Sequence, residues 1–445
     1  MNNEKVISQK RSSLLQKNIL ASFLIKGWSA VIVLLMVPAT LNCLGEYKNG
    51  IWLTISSMLL WIDNMDIGLG NGLRNKVAEY MAHGEHERTR SLISSTFAML
   101  TCIIIPVMLV LLLLIVVGDP YQVFNATPDK APHLNQVLMV TVILVCTSFV
   151  FKLIGNFYMG IQLPAVSNLL IALGQTLALI GTYIVLWSGS HSIMHIALVN
   201  TAAPLLVYLL AFPYTFFYKY PHLRPSFSLI DFKEAKAVIN MGVQFFIMQI
   251  SGVILFMTSN LLISNLFSPE LVTPYQITYR YFSIMLVIFT VICMPFWNAT
   301  TDAYERGDMD WIRKATRKLR LMTIGIMVCI TIMVILSPWV YAIWIGDIFI
   351  DVKMSIVMAV YIFILIYSLR YSYFINGIGK LRLQLIFTTA AAILFIPLAY
   401  LTTLWSHNII WFMVVMCLVN IPGLIVNRIQ FSKLIKGQAK GIWNK

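Results

Sequence analysis

Apolar runs of about twenty residues recur along the chain, each long enough to cross roughly 30 Å of hydrocarbon as a helix, and short polar segments divide them. Twelve spans are predicted, at roughly 18–44, 48–66, 92–117, 134–158, 166–188, 195–218, 238–266, 274–299, 319–346, 354–375, 381–404 and 408–428. The first is too long and too polar at its start for a cleaved signal peptide, and Thr40, Leu41 and Asn42 ahead of Cys43 lack a processing pattern, so it is expected to persist in the mature protein. Composition agrees: 59% of residues are hydrophobic and 11% charged, where a soluble domain has about 25% charged. The expected fold class is an all-α polytopic membrane protein.

Comparing the polar loops reveals an internal repeat. His83-Gly84-Glu85-His86-Glu87-Arg88-Thr89-Arg90 matches Arg306-Gly307-Asp308-Met309-Asp310-Trp311-Ile312-Arg313 as basic-Gly-acid-x-acid-x-x-Arg, at an offset of 223, half of the 445 residues. The same offset carries the first span into the seventh. The chain therefore reads as two six-helix bundles, related by a pseudo-two-fold axis along the membrane normal, around a central cavity. The expected segments are a cytoplasmic stretch 1–17, bundles at 18–218 and 238–430, a cytoplasmic linker 219–237 and a basic cytoplasmic tail 431–445. Prolines within the spans, Pro38, Pro106, Pro204, Pro213, Pro295, Pro397 and Pro422, are either hinges or sources of static curvature.

The net charge of +14 raises nucleic acid as a partner, and its placement excludes that reading. With a cytoplasmic N-terminus, 25 of the 32 Lys and Arg residues fall in cytoplasmic segments and only Lys48, Lys130 and Lys353 lie outside. The positive-inside rule thus places both termini in the cytoplasm. The remaining four, Lys26, Lys152, Arg280 and Arg370, sit inside the spans, with no acidic residue comparably deep. Each costs roughly 2.5–3.5 kcal/mol on insertion scales, so intramembrane charge marks function by default, and its partner here is an anionic substrate. Lys152 and Arg370 are near enough to the cytoplasmic ends to snorkel to the headgroups or to line a cavity; Lys26 and Arg280 lie about two turns in and favour the cavity.

Asp63 and Asp66 end the second span ahead of Gly68, Gly70 and Gly72. With no strand before them and no G-x-x-x-x-G-K-[ST] in the chain, these glycines are not a nucleotide site; they are expected to break the helix at the membrane surface, with Asp66 capping a neighbour or holding one state of a gate. Transport is then expected to be secondary, without a cofactor. Six scattered cysteines make neither a metal site nor a disulfide framework, and the pairs His83/His86 and His191/His195 lack a third ligand. Between Tyr304 and Arg320, apolar Met309, Ile312, Ala315 and Leu319 oppose Arg313, Lys314, Arg317 and Lys318, the pattern of a helix lying on anionic lipid.

Three stretches carry a family likeness: Pro38 to Gly45, Tyr47-Lys48-Asn49-Gly50-Ile51-Trp52 through Ser56-Ser57, and Asp66-Ile67-Gly68-Leu69-Gly70-Asn71-Gly72-Leu73-Arg74-Asn75-Lys76. Together they resemble the N-terminal signature of bacterial polysaccharide transporters, the O-antigen flippases, relatives of the multidrug and toxin extrusion transporters. The likeness covers about the first 90 residues by motif and the rest by its twice-six helix plan. It implies a flippase of the bacterial inner membrane that moves undecaprenyl-diphosphate-linked oligosaccharide from the cytoplasmic to the periplasmic leaflet by alternating access. Such a flippase takes the headgroup in a cationic cavity, with a polysaccharide polymerase and chain-length proteins as candidate partners. Members commonly carry an arginine near the outer end of the first span, where this chain has Asn42 and Cys43. Two rivals stay open: a multidrug or cation exporter of the same superfamily, for which the deep charges have the wrong sign, and a membrane-embedded polysaccharide polymerase or glycosyltransferase, for which the outer segments offer few acids.

Topology is directly testable. A reporter active only in the cytoplasm should signal when fused after Lys445, and one active only outside should signal at Asn125; an outside signal at the C-terminus overturns the scheme.

Overall fold

Hydrocarbon offers the backbone no water to bond, so a spanning segment must satisfy its N–H and C=O groups within itself. The computed structural model describes residues 2–63, 69–231, 258–305, 307–346 and 348–444, and every regular element among them is helical. Ten of these helices are long and apolar enough to cross a membrane. Eleven of the twelve predicted spans have counterparts among them. Leu24–Leu59 holds the first two end to end, and most of the predicted seventh, 238–266, lies outside the described residues. The chain divides into two compact units, Met1–Gln249 and Ile250–Lys445.

The first unit begins with α1 (Asn2–Asp63), two helical arms joined at Gly45, whose φ of 70° and ψ of 170° belong to a region essentially closed to side chains. There follow α2 (Leu69–Ala82), α3 (His86–Val117), the short α4 (Pro120–Phe124), α5 (Leu134–Phe151), α6 (Leu153–Gly160), α7 (Pro164–Trp187) and α8 (Ile193–Pro213), which widens after Pro213 into a π-helical turn, Tyr214–Lys219. The first arm of α1 packs on α7, α7 on α8, and α5 on both α3 and α8. Loops expected on one side of the membrane meet in space. At the predicted outer end, Cys43 Sγ donates to Ser190 O at 3.0 Å, Lys48 Nζ to His191 O at 3.0 Å, and Thr127 N to Tyr47 Oη at 3.1 Å. At the opposite end, Arg90 Nε donates to Arg224 O at 2.7 Å and Ser226 N to Ser94 Oγ at 3.0 Å.

The second unit contains helical residues 258–266 (α9), α10 (Pro269–Glu305), α11 (Met309–Ile345), α12 (Val352–Ile378), α13 (Arg382–Trp405) and α14 (Ile409–Ile435). Helix α12 is central, packing on α10, α11 and α14. Lipid supplies no hydrophobic drive between helices, so polar contacts and close packing hold them. Tyr281 Oη donates to Met333 O at 3.1 Å, Tyr341 Oη bonds Ser355 Oγ at 3.1 Å, and Asn427 Nδ2 donates to Ser368 and Ser372 Oγ at 3.1 Å each. The predicted tail 431–445 is partly helix and partly folded back: α14 runs to Ile435, and Lys433 Nζ sits 3.9 Å from the centre of the Trp443 ring.

From Gly84 and Gly307 onward, the repeated octapeptides turn alike. Gly84 (φ 74°) and Gly307 (φ 72°) both take the left-handed conformation that ends a helix. Glu85 N bonds Tyr80 O at 2.9 Å and Asp308 N bonds Ala303 O at 2.8 Å, while His86 N and Met309 N return to the glycine carbonyls at 3.0 and 2.9 Å. The acidic residue then stands at the N-terminus of the next helix, where the helix dipole favours negative charge. The shared pattern therefore encodes a helix stop and a helix start.

Two expectations are corrected. The segment from Tyr304 to Arg320 is not a separate helix on the lipid surface: α10 reaches Glu305, and α11 runs unbroken for 37 residues from Met309. At about 1.5 Å per residue that is about 55 Å, well beyond the hydrocarbon thickness. Its apolar stripe, Ile312, Ala315 and Leu319, is buried by protein, at 0, 4 and 0% exposure. An amphipathic pattern reports one apolar side and leaves open whether lipid or protein covers it. The second correction concerns Gly70 and Gly72, which break nothing among the described residues; they lie inside α2, whose Leu69, Leu73, Val77 and Tyr80 form a buried stripe.

A Cβ at Gly45 meets nothing within 4 Å, so Gly45→Ala isolates the backbone cost of the bend. It should destabilise the protein by about 1–3 kcal/mol. Gly27→Ala, mid-helix in α1 and equally unobstructed, should be neutral or stabilising by up to about 1 kcal/mol. Melting temperatures in detergent compare them; equal behaviour contradicts a glycine-specific bend.

Candidate functional site

The four intramembrane cations divide between the units. Lys26 is exposed on the first arm of α1, two residues before Trp28, whose indole N–H donates to Thr176 Oγ1 on α7 at 3.1 Å. Lys152 is half-buried at the one-residue break between α5 and α6. Arg280 is half-buried in α10. Arg370, on α12, is the most enclosed, at 5% exposure. Asp63 is the last residue of α1, and Asp66 and Gly68 lie outside the described residues.

Within the second unit a cavity of about 600 Å³ gathers Arg370 with five cations that the sequence had left in separate cytoplasmic segments: Arg313, Arg317 and Arg320 from α11, Arg428 from α14, and Lys436 just beyond it. Arg280 does not line it, nor does Lys26 or Lys152. The three α11 arginines recur at i, i+4 and i+7, which puts them on one face of a helix. That spacing was legible in the sequence. What was not is that this face turns inward, toward the C-terminal ends of α12 and α14.

The cavity is a funnel. Its five outer cations are exposed and Arg370 stands buried behind them. The Arg370 guanidinium carbon lies 4.5 Å from the centre of the Tyr367 ring and 4.4 Å from that of Tyr371, and one of its terminal nitrogens donates to the Tyr371 hydroxyl. Tyr371 is packed in turn by Phe431 of α14, at 5.5 Å between ring centres. Tyr367 and Tyr371, one turn apart on α12, pair edge to face at 5.6 Å between ring centres, so the helix itself builds the aromatic surface that Arg370 rests against. Each cation–π contact is worth about 0.5–2 kcal/mol, which offsets part of the desolvation. Arg370 Nε has no hydrogen-bond partner.

No carboxylate lines the cavity, and among the described residues only Arg313 of the six forms an ion pair, with Asp310 at 2.9 Å, both exposed. Guanidinium groups stay protonated and match phosphate or carboxylate oxygens with two parallel N–H bonds. What the arrangement can do chemically is hold a polyanion. The volume suits a small headgroup, within the roughly 300–1,000 Å³ of ligand pockets.

Residues 15–296, more than half of the chain, match the family described as "Polysaccharide biosynthesis protein". The chain belongs to that family. A protein of Salmonella typhimurium named "Putative O-antigen transporter" is 21% identical over 278 residues, 62% of this chain and 63% of the relative, so the alignment leaves more than a third of that protein unmatched. Its namesake in Salmonella typhi is 21% identical over 376 residues, covering 82% of this chain and 83% of the other. Among solved structures, an inward-facing multidrug resistance MATE family transporter of the MOP superfamily superposes with a TM-score of 0.75 at 14% identity, covering 92% of this chain and 96% of its own. An outward-facing member gives 0.62 at 15% identity, covering 95% and 96%. At such identities the likeness is one of fold. Family and fold agree on a polytopic membrane protein of polysaccharide biosynthesis, the class that the sequence indicated.

Proposed function

We propose that this protein is a flippase that moves undecaprenyl-diphosphate-linked oligosaccharide, an O-antigen or related repeat unit, from the cytoplasmic to the periplasmic leaflet of a bacterial inner membrane, with both termini cytoplasmic. The observation that carries the reading is the buried Arg370, held in a membrane helix with no carboxylate beside it. Such a charge is costly unless an anion arrives to meet it. The MATE fold is equally compatible with multidrug export, but lipophilic cations call for acids or aromatic cages at depth, and the deep charges here are basic. Bundles at 18–218 and 238–430 alternate access to the substrate, whose headgroup is bound by Lys26, Arg280, Lys152 and Arg370. Asp63, Asp66 and the glycines Gly68, Gly70 and Gly72 serve the gate.

Lys26→Ala and Arg280→Ala should each abolish delivery of surface polysaccharide in a complementation test while the protein remains in the membrane, and Arg280→Lys should keep part of it. Wild-type polysaccharide in both alanine variants would falsify the assignment of these two residues.

Energy is the second test. A diphosphate carries about two negative charges, each worth about 2.3 kcal/mol per 100 mV, so an inside-negative potential favours outward movement by on the order of 4–5 kcal/mol. Collapsing the potential with valinomycin and balanced potassium at constant pH should slow flipping several-fold in oriented vesicles. An unchanged rate, with loss only when a proton or sodium gradient is removed, makes Asp63 and Asp66 the residues to examine instead.

A further inference from the structure

The arginine-lined funnel lies wholly within the second unit. From its geometry we infer that it is a docking subsite for a lipid-linked diphosphate at the cytoplasmic leaflet, occupied before the substrate reaches Lys26 and Arg280; this rests on the flippase reading. The position follows from the helices that build it. Arg313, Arg317 and Arg320 stand in the first third of α11, Arg370 two turns from the end of α12, and Arg428 and Lys436 at the end of α14, all at the ends that the charge bias assigns to the cytoplasm.

The chemistry follows from charge and shape. Five exposed cations form the mouth and raise the local concentration of anions, while Arg370, held against Tyr367 and Tyr371, presents a guanidinium whose Nε is unpartnered. A phosphodiester headgroup brings one negative charge to this cluster. A diphosphate ester brings about two, with oxygens spread over two phosphorus centres, enough to reach Arg370 and the α11 arginines together. Phosphate oxygens on a lipid are the shared chemistry of both sources, and the funnel is matched to the diphosphate. Ser432 on its wall adds a hydroxyl for a remaining oxygen, whereas Thr316 and Thr323 donate theirs to Ile312 O and Leu319 O.

Binding to the full-length protein in detergent tests this with farnesyl diphosphate as the probe, against farnesyl monophosphate and short-chain phosphatidylglycerol. Arg370→Gln, and separately the double variant Arg317→Gln/Arg428→Gln, should weaken farnesyl diphosphate at least tenfold. Lys314→Gln, exposed on α11 and outside the cavity, should change it less than twofold. The double variant alters only exposed side chains, so it remains informative if the buried substitution impairs folding. Equal affinity in the double variant and Lys314→Gln overturns the proposal. So does a wild-type protein that binds phosphatidylglycerol or the monophosphate as tightly as the diphosphate, which makes the funnel an anionic-lipid site. If the funnel binds the diphosphate yet a strain lacking the protein keeps its surface polysaccharide, the docking site stands and the flippase reading fails. If Lys26→Ala abolishes delivery while the funnel variants bind normally, the flippase reading stands and the docking site fails.

Discussion

The cost of placing a fixed positive charge in a medium that cannot solvate it governs much of this molecule. A soluble protein pairs such a charge or leaves it in water. Here Arg370 has neither remedy. Its guanidinium lies against two tyrosines of its own helix, bonded to one of their hydroxyls, and left with a free N–H behind five other cations. Aromatic faces accept part of the charge, but they do not neutralise it. Such a cluster suits a ligand of opposite sign.

The same medium explains the architecture around it. Backbone groups in hydrocarbon must be bonded internally, so regular structure among the described residues is helical and irregularities have definite causes. Gly45 folds one long apolar stretch into two arms because glycine can adopt the required backbone angles, and the loops around Thr127 and Ser190 then converge on that bend through Cys43, Tyr47 and Lys48. Glycines 84 and 307 end helices so that an acidic residue opens the next, and the recurrence of this device 223 residues apart gives both units the same turn.

The length of α11 links architecture to chemistry. Its 37 residues exceed what a bilayer needs, and the surplus at the N-terminal end carries Arg313, Arg317 and Arg320 on one face, over a buried stripe of Ile312, Ala315 and Leu319. Had this segment lain flat on the membrane, its arginines would have met lipid headgroups singly. Standing upright and continuous with a span, it presents them to α12 and α14, and a surface charge becomes a pocket wall.

Much of this was written in the sequence. Twenty-residue apolar runs determine membrane helices because hydrophobic length is a local property, and the break near residue 45, the repeat at offset 223, the resemblance to polysaccharide transporters and the unusual depth of Lys26, Lys152, Arg280 and Arg370 all followed from local pattern. Contact between distant helices did not. Arg370 had equal claims to snorkelling and to a cavity, because its distance from the helix end is the same in either case; only packing by Phe431 and the tyrosine pair settles its burial. Arg317 read as a charge facing anionic lipid, Arg428 as one of the cytoplasmic charges, and Gly70 and Gly72 as helix breakers, since one-dimensional pattern does not report which face of a helix another helix covers. Tertiary structure decided that face, and with it where six scattered cations meet.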